Sequence, residues 1–87
     1  MIEIELKINE CGTKVYYIKG TKIIHRDDGP AIENTNGDKS WYQHGKLHRL
    51  DGPAVEWANG YKEFWINDKR IKDVNSIEEA IIKSLLE

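Results

Sequence analysis

His25-Arg26-Asp27-Asp28-Gly29-Pro30-Ala31-Ile32-Glu33 recurs as His48-Arg49-Leu50-Asp51-Gly52-Pro53-Ala54-Val55-Glu56, 23 positions later. A second match runs at the same offset: Asn36-Gly37-Asp38-Lys39-Ser40-Trp41-Tyr42 returns as Asn59-Gly60-Tyr61-Lys62-Glu63-Phe64-Trp65. An earlier copy of this second half is Gly12-Thr13-Lys14-Val15-Tyr16-Tyr17-Ile18-Lys19-Gly20. It precedes the next by 25 positions, so the first unit carries two extra residues before His25. After Trp65 the pattern fades. Asn67-Asp68-Lys69-Arg70 still reads as a turn, but no third Asp-Gly-Pro follows. Self-similarity at this period marks a repeat architecture, in which each copy is one supersecondary unit.

Each unit consists of short segments punctuated by turn residues. Asn-Gly at 36–37 and 59–60 predicts hairpins closed by type I′ turns, with positive φ at both central residues. The flanking segments, such as Ala54-Val55-Glu56-Trp57 and Lys62-Glu63-Phe64-Trp65-Ile66, are rich in β-branched and aromatic residues. Gly-Pro ends one strand and restarts the next, because proline cannot donate to a central ladder. Ile2, Ile4, Leu6 and Ile8 alternate with polar residues and predict one more strand within residues 1–9. Ser76 with Glu79 three residues on forms a capping box, and Ile77, Ala80, Ile81, Ser84 and Leu85 share one helical face. The expected fold is mainly β, an antiparallel β-hairpin repeat meander over residues 12–70 with a C-terminal α-helix over 76–86. Together residues 1–87 form a single repeat domain, and the helix is expected across the sheet's apolar face or against the last hairpin.

Bulk composition excludes several classes. Hydrophobic residues make up 39% of the chain and charged residues 32%, a globular balance. A net charge of −2 offers no reason to expect nucleic acid or an anionic membrane as partner. Cys11 is the one cysteine, so no internal disulfide forms. The acidic, alternating start is not a signal peptide and no apolar run reaches membrane-spanning length, which makes the cytoplasm the expected location.

Strand alternation splits each aromatic doublet between two faces. Tyr16, Trp41 and Phe64, with Ile18 and Ile66, form the more apolar face and the expected core. Tyr17, Tyr42 and Trp65 share the other, more amphipathic face, with His44 nearby. Tyrosine and tryptophan in polar surroundings are the composition of interface hot spots, so these four residues and Trp57 are the candidate partner-binding set. Trp57 stands where the preceding unit has Asn34. If one strand separates equivalent positions, they lie roughly 10 Å apart, too far to sandwich one planar base and better matched to a protein surface.

The loops support two readings. In one, the aspartate accepts from backbone amides and the arginine pairs with it or a neighbour, as turn chemistry repeated for architectural reasons. In the other, His25, Arg26, His48 and Arg49 form an anion-binding row for the phosphates of a nucleotide. Catalysis, metal and cofactor are not expected. No serine or cysteine has a base and orienter at a known spacing, no paired ligand spacing suits zinc, and the glycines are spaced as turns.

Asn-Gly-x-Lys-x-aromatic-aromatic followed by Gly-Lys-x-His, at this spacing, resembles a variant of the MORN repeat across roughly residues 12–70. The added His-Arg-x-Asp-Gly-Pro-Ala element resembles repeats in small proteins of phages, bacteria and large DNA viruses. The Asp-Gly-Pro element and the glycine lost at Asp68 depart from the MORN pattern and set aside the lipid role of some MORN proteins. The resemblance implies a binding scaffold: a non-catalytic protein-binding module, as in a phage-encoded inhibitor of a host defence protein acting in the host cytoplasm. Two alternatives stand beside it. One is a nucleotide-sequestering protein, oligomeric so that sites form between subunits; the other is a structural repeat within an assembly.

Overall fold

A computed structural model describes residues 2–86. Met1 of the expected first strand, and Glu87 at the other end of the expected domain, lie outside them. Nine strands precede one helix. They are β1 (Ile4–Ile8), β2 (Lys14–Ile18), β3 (Ile32–Glu33), β4 (Lys39–Ser40), β5 (Tyr42–Gln43), β6 (Lys46–Leu47), β7 (Val55–Glu56), β8 (Lys62–Ile66) and β9 (Lys69–Ile71), followed by α1 (Ile77–Leu85). Seven strands form one antiparallel sheet in the order β1-β2-β3-β4-β7-β8-β9, while β5 and β6 pair as a separate hairpin. The mainly β meander with a terminal helix is therefore the fold. One strand, β3, separates β2 from β4 and one, β7, separates β4 from β8, and β4 runs directly into the Trp41-Tyr42 doublet.

Cross-strand partners line up in columns that repeat along the sheet. Lys14, Glu33, Lys39, Glu56 and Lys62 face one another across five strands as an alternating ladder of opposite charges. Directly opposed unlike charges favour this register, and a one-residue slip would move every side chain to the other face. The neighbouring column is Val15, Ile32, Ser40, Val55 and Glu63. The charge ladder shares its face with Tyr16, Trp41 and Phe64, here termed the loop face. The Val15 column shares the opposite, open face with Tyr17, Tyr42 and Trp65.

The turns differ from the sequence expectation. At Asn36-Gly37 and Asn59-Gly60 only the glycine has positive φ, at 101° and 92°. Gly37 N–H donates to Asn34 O and Asn34 N–H to Asp38 O, and the same pair of bonds joins Gly60, Trp57 and Tyr61. The pattern is a type I turn followed by a glycine bulge, and Gly12 closes the first hairpin in the same way. The Asx side chain explains the choice, since Asn36 Oδ1 accepts from Asp38 N–H and Asn59 Oδ1 from Tyr61 N–H. Two successive positive-φ residues occur instead at His44-Gly45 and Asn67-Asp68. Asp68 thus takes the conformation held by Gly45 in the previous unit.

Ser76 caps α1, its Oγ accepting from Glu79 N–H. The helix closes only the end of the loop face. Ile71, Ile77 and Ala80 are buried together, with Phe64, Ile66, Val74 and Ile81 packed around them. Leu85, expected on the buried helical face, is 79% exposed because the sheet beneath α1 ends at β9. Tyr16 and Trp41 therefore lie beyond the helix, and something else must cover them.

Candidate functional site

The arginines cover them. The Arg26 guanidinium lies 4.0 Å from the centre of the Tyr16 ring, and Arg49 lies 3.9 Å from that of Trp41. Each arginine donates from Nε to the aspartate two residues on, Asp28 or Asp51, and from Nη1 to the carbonyl of Pro30 or Pro53. Nη1 also reaches the carboxylate of Glu33 or Glu56, which belongs to the charge ladder. Burial works against the charge on Arg26, but Asp28, Tyr16 and Glu33 together hold its pKa above the ordinary value. The motif glycine completes the slot. A Cβ on Gly29 would meet Arg26 Cζ at 3.0 Å, and one on Gly52 would meet Arg49 Cζ at 2.8 Å. Arginine, aspartate, glycine, proline and glutamate thus recur as one device that plates an aromatic ring with a neutralised guanidinium. The arginine–aspartate pairs of the turn-chemistry reading are thus present, with Asp28 and Asp51 accepting from the guanidinium groups.

The histidines join one unit to the next. His25 is buried at 1% exposure, and its Nδ1 accepts from the backbone N–H of His44. His48 Nδ1 accepts from Asn67 N–H in the same way. Alongside, Gly45 N–H donates to Ile24 O and Asp68 N–H to Leu47 O. A strained two-residue turn has few partners for its amides, and the preceding histidine supplies one. The Nδ1 acceptor fixes the neutral Nε2–H tautomer, and His25 Nε2 lies 3.1 Å from Asp27 Oδ1. Burial pushes the His48 pKa down. Asp27 is held below the usual carboxylate value, first by the Gln43 amide and also by His25.

Arg26, His48 and Arg49 of the predicted anion row do come together with His44, on a groove of about 520 Å³ floored by Trp41. His25 lies beneath it, its ring 4.6 Å from that of His44. Both arginines there are already paired with carboxylates, Arg26 with Asp28 and Glu33 and Arg49 with Asp51 and Glu56. Three cations, Arg26, Lys46 and Arg49, stand among Asp27, Asp28, Glu33, Asp51 and Glu56.

The open face offers different chemistry. Tyr17, Tyr42 and Trp65 lie half-buried at equivalent positions, opposite Glu5, Leu47 and Arg70 respectively. Lys7 reaches over Tyr17, and burial with Asp68 nearby raises the Tyr42 pKa. At the β8 end this face carries a connected cluster. Glu63 accepts from the indole N–H groups of both Trp57 and Trp65, while Arg70 donates to the Tyr61 hydroxyl and lies 3.9 Å from Glu63. Burial alone would raise the Glu63 pKa, but the two indoles and Arg70 outweigh it and hold the carboxyl ionised. Trp57 and Tyr61 remain 43% and 53% exposed. Rings held by hydrogen bonds yet open to solvent are pre-ordered for contact.

Of this cluster, Trp57 and Trp65 belong to the predicted set, whereas Tyr61, Glu63 and Arg70 do not. Their signal was disagreement between copies: Tyr61, Glu63 and Arg70 stand where the previous unit has Asp38, Ser40 and Leu47. His44 contributes its backbone amide and a tilted ring contact with His25, away from this cluster. Among the described residues no group of three potential ligands is arranged to hold a metal, and no helix is long and apolar enough to cross a membrane. No protein-family model, curated protein or solved structure matches the chain.

Proposed function

We propose that the chain is a non-catalytic protein-binding module whose binding surface is the open face, centred on Trp57, Tyr61, Trp65 and Arg70 and extended by Tyr42 and Tyr17. The observation that carries this reading is the Glu63-centred cluster: exposed tryptophan, tyrosine and arginine held in place by hydrogen bonds. These are the residue types in which interface energy concentrates. The sheet is a single layer here, in a molecule only 17 Å thick, so the aromatic column has one side free to meet a partner. The MORN-like spacing supports a scaffold role, and an inhibitor that occupies a larger protein is the narrower form of the proposal. The nucleotide-sequestering alternative draws less support, because both loop arginines are already plated on rings and paired with two carboxylates each.

Trp57→Ala and Tyr61→Ala change exposed residues and should preserve melting temperature while abolishing capture of a partner from host lysate by the tagged chain. Arg26→Ala and Arg49→Ala should lower the melting temperature without a nucleotide-dependent shift in the parent. Stabilisation of the parent by nucleotides, lost in the arginine variants, would establish the alternative instead.

A further inference from the structure

The two edges of the sheet are unlike. β9 is three residues long and carries Lys69 and Arg70, the kind of short, charged edge that discourages pairing. β1 is five residues long, and among the described residues no strand pairs with its outer edge. Its side chains on the loop face are apolar and open: Ile4 is 37% exposed, Leu6 43% and Ile8 58%. Its backbone is poised for a partner. Lys19 N–H donates to Glu3 O and Asn9 N–H to Thr13 O, so the odd-numbered residues of this segment bond inward to β2. By the alternation of an antiparallel ladder, Ile4, Leu6 and Ile8 direct their N–H and C=O groups outward.

We infer that β1 pairs with β1 of a second copy, antiparallel about a two-fold axis through Leu6. Charge selects the occupant and the register. Outward bonding requires even residues to face even residues, which leaves three central registers. Centring the axis between Ile4 and Leu6 sets Glu5 against Glu5 of the other copy, and centring it between Leu6 and Ile8 sets Lys7 against Lys7. Centring it on Leu6 sets Glu5 against Lys7 twice, with Leu6 against Leu6 and Ile4 against Ile8. Glu5 and Lys7 then fall at the non-hydrogen-bonded positions, where opposed side chains approach most closely. The edge is self-complementary, as an isologous interface requires. Residues opposed in a sheet point to the same side, so the dimer carries one continuous open face bearing both copies' aromatic clusters, with both helices on the other side.

The test is the mass of the full chain by sedimentation and light scattering over a concentration series, with thermal melts to confirm folding. The parent is expected to reach twice the chain mass. Glu5→Lys and Lys7→Glu each create like-charge pairs and should each raise the dissociation constant at least about tenfold. Mixing these two variants should restore a dimer, because Glu5→Lys opposite Lys7→Glu is complementary at both pairs. Leu6→Pro removes an outward N–H and no inward bond to β2, and should leave a folded monomer. A parent that stays monomeric at every concentration, a dimer indifferent to both charge reversals, or variants that fail to associate on mixing would each overturn the inference.

Discussion

At the residue scale, the repeated histidine shows how one atom decides an identity. His25 and His48 present Nδ1 to the amide of the next unit's turn, and the same repeat position after a further 23 residues is Ile71. Ile71 is buried against Ile77 and Ala80, where an imidazole would bring a polar nitrogen into an apolar cluster. Protonation would place a hydrogen on the accepting nitrogen. Because the folded pKa of His48 lies below its ordinary value of 6.5, the unfolded chain takes up the proton first as pH falls. Stability should be full above about pH 6.5 and decline below it, a slope that His48→Phe flattens in denaturant titrations across that range. Glu63 and Asp27, both held below their ordinary values, add a second loss of stability only at more acidic pH. The motif glycine is tested separately. Gly52→Ala should cost about 1–2 kcal/mol by lifting Arg49 from its carboxylates and ring, and almost nothing further in an Arg49→Ala background. Urea titrations of the four chains close that double-mutant cycle.

At the scale of elements, loop and helix solve the same problem with different chemistry. The aromatic residue of each unit leaves a ring on the loop face. In the first two units a guanidinium covers it, and in the last α1 brings Ile77 and Ala80 over Phe64. A salt-bridged guanidinium can sit at a partly wetted surface, where an aliphatic side chain would leave apolar area in water. The helix is needed where no further unit shields the array. Removing the cap with Ser76→Ala should cost about 1 kcal/mol, read from the midpoint of chemical unfolding. Ending the chain at Val74 should expose Phe64, Ile66 and Ile71 and convert a cooperative melt into a broad one that binds a hydrophobic dye.

For the whole molecule, the bonds between units repeat at one fixed spacing, so the array should tolerate lengthening in whole units. Duplicating residues 34–56 directly after Glu56 places His48 of the first copy against the turn at Asn67-equivalent spacing and preserves every column of the ladder. The enlarged chain should keep a single cooperative transition with a melting temperature no lower than the parent's, by calorimetry. A glycine-serine insertion of equal length at the same point should lower it, because it breaks the histidine-to-turn bonds and the charge columns together.

Repeat period, strand alternation and the capping box are local properties, so the chain by itself determined the meander, the two aromatic faces and the helix. The arginine pairing was also legible, since its partners lie within a few residues of it. The turn type was not, because Asn36 and Asn59 engage their own following amides and leave only the glycines at positive φ. Nor could sequence reveal that the histidines serve a neighbouring unit, or that Glu63 gathers Trp57, Trp65 and Arg70. The histidines reach backbone amides in the next unit's turn, and Trp57, beside β7, and Arg70, on β9, meet Glu63 on β8, so these contacts exist only once the sheet has set its register.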